Sequence, residues 1–496
     1  MSPSTLARVA APVGAACALA ALTWLSLLAG GTGGAAVFWL VAASWLAFAV
    51  AARLVCRLPE RAALRLVVGG GIALQAIAVS FGPRTSTDVY RYAWDGRVGN
   101  HGVDPYRYAP DAPQLAGLRV PWLFPPGQAP LINRPDVHTI YPPVGQLWFR
   151  LVDALAPPGS AVTAFQVAAA LVAVAGTWLL IVVLRGAGAD PRTAVLWAWC
   201  PLVVAEAGNN AHLDTLAAVL AVAALALVVR RRTALGGVVL GLAIGVKVLP
   251  VVVTPAVARR RPLLLLGCAG AVLAASYLPH LLAVGPGVVG FLPGYLSQEG
   301  YASGDRFALL RLVVPEAVAP YVAVAVAGVA AWLVWRRADP THRADATDRP
   351  GVTDRADPWA GAATLAGVAL LVATPSYPWY GMLLVALAVA AARPQWLAVA
   401  AAGYVTLLGG WTGWTGTELL RTGYGLGLAV VVTAAVRRRR QASGVAPGPE
   451  LSRSGVGEPV AQQRVHEDAG DGAALPVAPG GKVVRPAPAE PDPAGA

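Results

Sequence analysis

Long apolar runs recur along the chain from about residue 10 to residue 436. Each run is close to the ~20 residues that an α-helix needs to cross the hydrocarbon layer of a bilayer. Only helices and closed barrels satisfy their backbone hydrogen bonds in lipid, and runs of this length are typical of helices. The pattern therefore predicts an all-α polytopic transmembrane bundle with about 12–14 membrane segments.

The apolar runs leave one long polar stretch ahead of the C-terminal region, at residues 82–142. It follows three predicted spans near 10–29, 35–53 and 64–81. Residues 143–156 are short and amphipathic, which predicts a re-entrant or interfacial helix. Further spans are predicted near residues 162–184, 193–207, 212–229, 262–284, 317–335, 358–375, 378–392, 395–409 and 423–436.

Residues 233–258 are long enough for one crossing, but clusters of arginine bound them at both ends. Arginine is enriched in cytoplasmic loops, so a single crossing would place one cluster on the wrong side of the membrane. Two half-helices, broken near Lys247 and Pro250, would keep both clusters on the cytoplasmic side. We therefore predict a broken span here.

Charge in this chain indicates topology rather than nucleic-acid binding. The net charge is +12, but the arginines form short clusters between apolar runs instead of lining one face. They predict cytoplasmic loops and an extracytoplasmic position for 82–142. A composition of 56% hydrophobic and 13% charged residues excludes an ordinary soluble fold. Residues 441–496, rich in Pro and Gly, predict a disordered cytoplasmic tail behind a membrane domain at 1–440.

The segment 82–142 opens with a group of acidic and aromatic residues directly after the third span. If residues 89–98 form a helix, Asp88, Tyr92 and Asp95 share one face. A carboxylate at the membrane surface, among rings suited to hold a sugar, can act as a general base towards a hydroxyl. Asp88 is the candidate base, and Arg91, Tyr92 and Asp95 are candidate substrate contacts. Two structural interpretations compete: Asp88 as a helix N-cap, and Asp95 as a partner of Arg91.

Two tyrosines later in this region lie in proline-rich turns. Tyr106 follows Asp104-Pro105, and Tyr141 precedes two prolines. Rigid turns of this kind display rings at the membrane interface, where they can contact a substrate. An interfacial aromatic anchor is an equally good interpretation of either tyrosine.

A second polar group, at residues 206–214, lies between two apolar runs. Ionisable groups near a membrane are costly, so Asn209, His212 and Asp214 are candidate substrate contacts. A helix-capping turn would explain the same residues. His212 and Asp214 are two positions apart and point away from each other on a helix, so no metal-ligand spacing emerges.

Other candidates are a lone lysine, one arginine and an aromatic group. Lys247 is the only lysine outside the predicted tail, and a buried ammonium there could bind the phosphate of a lipid carrier. The competing interpretation is a side chain that snorkels to the interface. Arg306 could grip phosphate, and aromatic rings can stack on a sugar. These rings belong to Tyr377, Trp379 and Tyr380.

Taken together, these stretches resemble the GT-C membrane glycosyltransferases. The resemblance is to the bacterial polyprenol-phosphate-mannose-dependent mannosyltransferases of glycosyltransferase family 87 and their relatives, and it covers about residues 10–436. It implies a catalytic acid in the first large extracytoplasmic loop, hence Asp88 as base with Asp95 as second choice. No Asp-x-Asp pair is present, which leaves metal dependence open, and no cofactor is predicted. The matching stretches are 87–92, 104–106, 139–143, 209–214, 247–250 and 378–380.

The hypothesis is a multi-pass cell-membrane enzyme with an extracytoplasmic active site. It would transfer a hexose, expected to be mannose, from a polyprenyl-phosphate donor to a hydroxyl of a glycan or glycolipid, with inversion. A transporter or lipid-linked sugar flippase is the first alternative, because it would also contain broken helices and a lone intramembrane charge. It predicts repeated halves, which the sequence does not display. A non-enzymatic envelope scaffold is the second alternative.

Overall fold

The computed structural model describes residues 3–31, 34–259, 261–301, 303–304, 306–337 and 357–443. Every regular element in these ranges is helical, which confirms the predicted all-α class. The first half contains α1 (Pro3–Ala29), α2 (Ala35–Val55), α3 (Glu60–Val79), α4 (Asp88–Asn100), α5 (Pro143–Leu155), α6 (Ala161–Gly186), α7 (Val195–Ala198), α8 (Pro201–Val203), α9 (Asp214–Val229) and α10 (Thr233–Val246). The second half contains α11 (Thr254–Val257), α12 (Pro262–Val284), α13 (Leu292–Gln298), α14 (Ala319–Arg337), α15 (Pro358–Ala373), α16 (Met382–Ala390), α17 (Leu397–Ala400), α18 (Ala402–Leu408) and α19 (Gly416–Ser443).

Seven helical stretches in the described ranges are long and apolar enough to cross a membrane, and the chain is a multi-pass membrane protein. The count reaches eight if Pro201–Asn209 and Asp214–Val229 form one broken span, with a bend of 118° between the two helices. The predicted number of 12–14 is higher because several apolar runs form shorter or interrupted helices. The run at 395–409, for example, divides between α17 and α18.

Two local predictions are confirmed. α5 is amphipathic, since Leu147, Leu151 and Leu155 are exposed along one side and Phe149 is buried on the other. The chain breaks at Lys247, which is extended between α10 and a 3-10 turn at Leu249–Val253. Residues 441–443, at the start of the predicted tail, continue α19, and the rest of the predicted tail lies outside the described residues.

Two helices next to the site, α10 and α12, pack through glycines. A Cβ atom on Gly237 would lie 2.5 Å from the Leu265 carbonyl oxygen, and one on Gly241 would lie 2.7 Å from the Ala269 oxygen. Small residues let membrane helices approach closely enough for van der Waals contact between their backbones. α10 and α12 therefore pack backbone to backbone next to the break at Lys247.

The segment 82–142 packs against α5 through α4. Tyr92 of α4 stacks on Phe149 of α5 with ring centroids 4.5 Å apart. A Cβ on Gly96 would lie only 2.5 Å from the Phe149 carbonyl oxygen, so these two helices also touch through their backbones. The rest of the segment has its own small apolar core around Trp94 and Leu115. This packing fixes where α4 begins, and Asp88 is its first residue.

Candidate active site

Asp88 presents its carboxylate at the start of α4. The Asp88 amide donates to Ser86 Oγ at 3.2 Å, and the side chain of Thr87, the N-cap residue, makes no capping bond. Asp88 Oδ1 accepts a 2.6 Å hydrogen bond from Asn133, and Oδ2 lies 3.7 Å from His212 Nε2. The side chain is 19% exposed. Protein contacts therefore hold the carboxylate in place, and a ligand can still reach it. Asp88 is the first residue of α4 and not its N-cap, so the competing interpretation as an N-cap does not describe its geometry.

His212 lies between two carboxylates. Its Nε2 atom is 3.2 Å from Ser86 Oγ and faces Asp88. Its Nδ1 atom is 2.9 Å from Glu206 Oε2, although the angle is outside that of a well-formed hydrogen bond. The imidazole ring also stacks on Trp379, with centroids 4.1 Å apart. These contacts fix the plane of the ring and direct one nitrogen towards Asp88.

Glu206 is fully buried at the back of this site, in a π-helical turn at Val204–Asn209. Its Oε1 atom accepts from the Tyr404 hydroxyl at 2.7 Å, and Oε2 accepts from Asn210 at 3.0 Å. A buried carboxylate is costly unless such partners satisfy it. Tyr404, Glu206, His212 and Asp88 thus form a polar row that begins inside the bundle and ends at the reachable carboxylate.

The Asn209 side chain bonds to backbone atoms and does not face the reachable side of Asp88. Its amide nitrogen donates to the carbonyl oxygens of Ala78, Phe81 and Gly82 at 3.0–3.2 Å. Its oxygen accepts from the Arg84 amide at 3.0 Å. The Asn209 side chain therefore joins the end of α3 to the π-helical turn and positions the stretch that leads to Asp88.

Three aromatic rings form a continuous stack beside Asp88. Tyr377 and Trp379 are nearly parallel, with centroids 4.5 Å apart and an angle of 7° between their planes. Trp379 in turn covers His212. Trp379 is buried between these contacts, whereas Tyr377 is only partly buried, so Tyr377 is the ring of the stack that a ligand can reach.

Lys247 has an anionic partner within the protein. Its Nζ atom is 2.5 Å from Asp214 Oδ2 and lies 4.8 Å from the centroid of the Tyr380 ring. The Tyr380 hydroxyl is 2.5 Å from that of Tyr295 on α13. The structure therefore brings Lys247, Asp214 and Tyr380 together, as an internally paired group behind the aromatic stack.

Five other predicted residues support the site from behind. Asp95 is buried and accepts from Arg91 Nε at 2.9 Å, so the competing interpretation as an ion pair describes its geometry. Tyr92 is buried under Phe149. The Tyr106 hydroxyl donates to the Tyr141 carbonyl oxygen at 2.6 Å. Of the four side chains predicted at residues 88–95, namely Asp88, Arg91, Tyr92 and Asp95, only that of Asp88 is reachable.

Arg306 is buried at the edge of the site and bonds to Glu299 and Ser376. Arg134 reaches the same Glu299 from the open side, at 3.9 Å. Burial raises the pKa of the nearby Tyr377 hydroxyl; the Glu299 and Asp88 carboxylates raise it as well, while both arginines lower it. These charged groups are thus close enough to Tyr377 to affect the pKa of its hydroxyl.

The site also contains residues that sequence reasoning did not select: Tyr404, Asn133 and Arg134. Tyr404 is 198 residues from its partner Glu206, and Asn133 is 45 residues from Asp88. The lone tyrosine in the apolar run at 395–409 was the one available signal. Within the described ranges, no three His, Cys, Asp or Glu side chains are grouped so that they could hold a metal ion.

Residues 4–260, more than half of the chain, match a family model described as Alpha-(1->6)-mannopyranosyltransferase, N-terminal domain. The matched range includes Asp88, Glu206, His212 and Lys247. GPI mannosyltransferase 1 from Gibberella zeae is 29% identical over 175 residues, which cover 34% of this chain and 32% of that protein. The chain therefore spans about a third of the length of that curated relative. No solved structure matches the chain significantly.

Proposed function

Because this chain belongs to the alpha-(1->6)-mannopyranosyltransferase family, we propose that it transfers a mannosyl group to a hydroxyl of a glycan or glycolipid. The donor is a mannosyl group linked to polyprenyl phosphate, and transfer takes place on the extracytoplasmic side of the membrane. The mannosyl-transferring activity of the similar fungal protein, as its name states it, supports the choice of sugar.

One observation carries the proposal: the Asp88 carboxylate is reachable and is held in one orientation. Asn133 donates to one oxygen at 2.6 Å, and His212 lies 3.7 Å from the other. A general base must be able to approach the proton that it removes, and its position must be fixed. Among the acidic residues of α4, Asp88 meets both requirements and Asp95 is enclosed by Arg91 and Gln146.

The reaction is a single displacement. The acceptor oxygen attacks the anomeric carbon of the donor, and its proton passes to Asp88. The bond between the anomeric carbon and the phosphate oxygen breaks, and the polyprenyl phosphate leaves with the electron pair. Attack and departure take place on opposite faces of the carbon, so the anomeric configuration inverts.

His212 and Glu206 act behind the base. His212 directs Nε2 towards Asp88 while Trp379 and Glu206 hold its ring. A polar group so placed keeps the carboxylate oriented towards the acceptor and stabilises charge that develops next to it. These two residues are positioning residues, since the side chain of Asp88 separates them from the acceptor.

The test is mannosyl transfer by the full chain in lipid nanodiscs, with a polyprenyl-phosphate-mannose donor and a mannoside acceptor. Asp88→Asn keeps the size of the side chain and one oxygen for Asn133. We expect it to lower kcat by about 10²–10⁴, the usual contribution of general-base catalysis. Asp111→Asn, an exposed aspartate in the same segment, is the matched control and should retain the wild-type rate. An Asp88→Asn variant with a rate close to that of the wild type would exclude the base.

A further inference from the structure

The leaving phosphate of the proposed reaction needs a cation, and two predicted cationic candidates are already paired. Arg306 is 5% exposed and bonds to Glu299 and Ser376. Lys247 contacts Asp214 at 2.5 Å. A phosphate that bound to either would have to replace an anion of the protein.

Arg91 is also committed, although it lies only three residues after Asp88. It is buried, its Nε donates to Asp95 at 2.9 Å, and its Nη1 donates to the Val137 carbonyl oxygen at 3.1 Å. These bonds hold α4 against the rest of the segment 82–142. A substrate that bound to Arg91 would therefore have to break its bonds to Asp95 and Val137.

Arg134 differs from all three. Its side chain is 41% exposed, and its closest carboxylate oxygen, on Glu299, is 3.9 Å away, beyond hydrogen-bond distance. The guanidinium lies 5.6 Å from the centroid of the Tyr295 ring, which supports one side of it. A planar guanidinium offers five donors, so those of Arg134 remain available for a ligand.

The position of Arg134 links it directly to the base. The residue before it, Asn133, donates to Asp88 at 2.6 Å, so base and guanidinium are carried by adjoining parts of one site. Arg134 has a left-handed backbone, with φ at 50°, which residues other than glycine seldom adopt. Such conformations persist where the surrounding structure enforces them, often at functional sites.

The local charge also favours an anion. Arg134 and Arg306 approach Glu299 from two sides, so one carboxylate is shared between two guanidinium groups. Tyr377, at the end of the aromatic stack, lies close enough for both guanidiniums and Asp88 to act on its hydroxyl. Arg134 is therefore close to Tyr377, the ring that can hold the sugar.

We infer that Arg134 binds the phosphate of the lipid-linked donor, and that it is a substrate-binding residue of this site. The inference rests on the proposed function. The guanidinium donates two parallel hydrogen bonds to the non-bridging phosphate oxygens. As the bond from the anomeric carbon to the phosphate oxygen breaks, these hydrogen bonds strengthen and stabilise the charge on the departing phosphate.

Binding is measured separately from catalysis, with farnesyl phosphate as the probe and the full chain in detergent micelles. Arg134→Gln should weaken farnesyl phosphate binding by about 10- to 100-fold, the effect of losing hydrogen bonds to a charged group. Arg134→Lys should recover part of the affinity, because it keeps the charge and loses the paired geometry. Arg107→Gln removes an exposed arginine of the same segment and should bind like the wild type.

Arg134→Gly separates folding from binding. Glycine accepts a φ of 50° without strain, so its thermal unfolding midpoint should equal or exceed that of the wild type while farnesyl phosphate binding falls. Wild-type affinity in both Arg134→Gln and Arg134→Gly would overturn the inference. Binding that depends on Arg134, in a wild-type protein that transfers no mannose, would refute the proposed function and leave the phosphate site in place.

Discussion

The pairing of Lys247 with Asp214 allows a sharp test of what this lysine does. The two charged atoms are 2.5 Å apart, the Asp214 side chain is 3% exposed and that of Lys247 is 20% exposed. Lys247→Met would remove the cation, keep most of the apolar length of the side chain and leave the carboxylate buried without its partner. Breaking a buried ion pair costs about 3–5 kcal/mol. Since Lys247 is partly exposed, we expect the lower end, about 3 kcal/mol.

A double-mutant cycle separates the pair from the individual side chains. Asp214→Leu should also destabilise the protein, whereas Lys247→Met combined with Asp214→Leu should lie within about 1 kcal/mol of the wild type, because apolar replacements of both partners are often neutral. The expected coupling energy is then about 2 kcal/mol plus the cost of Asp214→Leu alone, at or above the upper range for residues in contact. Chemical unfolding of the full chain in detergent, followed by tryptophan fluorescence, measures all four proteins.

Two results would refute this reasoning. Lys247→Met with wild-type stability would mean that the ion pair contributes nothing to the fold. A double variant as unstable as the single ones would mean that the two charges do not depend on each other. If the double variant is stable but no longer binds farnesyl phosphate, Lys247 contacts the donor, as the sequence alone predicted.

Two further predictions concern the packing under the site and the residue behind the base. Gly96→Ala should destabilise the protein by about 1–3 kcal/mol, because the new methyl group would overlap the Phe149 carbonyl oxygen. Gly117→Ala is the control, since there is open space around Gly117. Equal unfolding midpoints for the two variants would contradict the packing of Gly96 against Phe149. His212→Gln should lower kcat about tenfold or more with little change in the KM for the donor, because His212 acts through Asp88. Steady-state kinetics measure both constants. A raised KM with an unchanged kcat would instead show that His212 contacts the donor.

The helical architecture could be predicted because lipid imposes one rule on every span. Runs of apolar residues predicted the class, the amphipathic pattern predicted α5, and the paired arginine clusters predicted the break at Lys247. The number of spans could not be predicted equally well. Length and hydropathy do not reveal that Val204–Asn209 winds as a π-helix, or that Ala211 adopts a left-handed φ of 56° just before the chain bends.

The site shows the same division. Asp88 and His212 stood out because polar residues beside apolar runs are costly, and the structure does bring them together. The same reasoning could not separate Asp88 from Asp95, because only three-dimensional packing shows that Arg91 and Gln146 enclose Asp95. Arg134 had no local signal at all, since its distinguishing features are a backbone angle and the absence of a close carboxylate partner among the described residues.

The π-helical turn makes the polar row sensitive to chain length. The Asn210 amide bonds to the Ala205 carbonyl oxygen at 2.9 Å, five residues back rather than four. Such a turn contains one residue more than ordinary α-helical winding would hold. Removing a single residue here would let the turn wind as an ordinary α-helix and would change which of its side chains face His212.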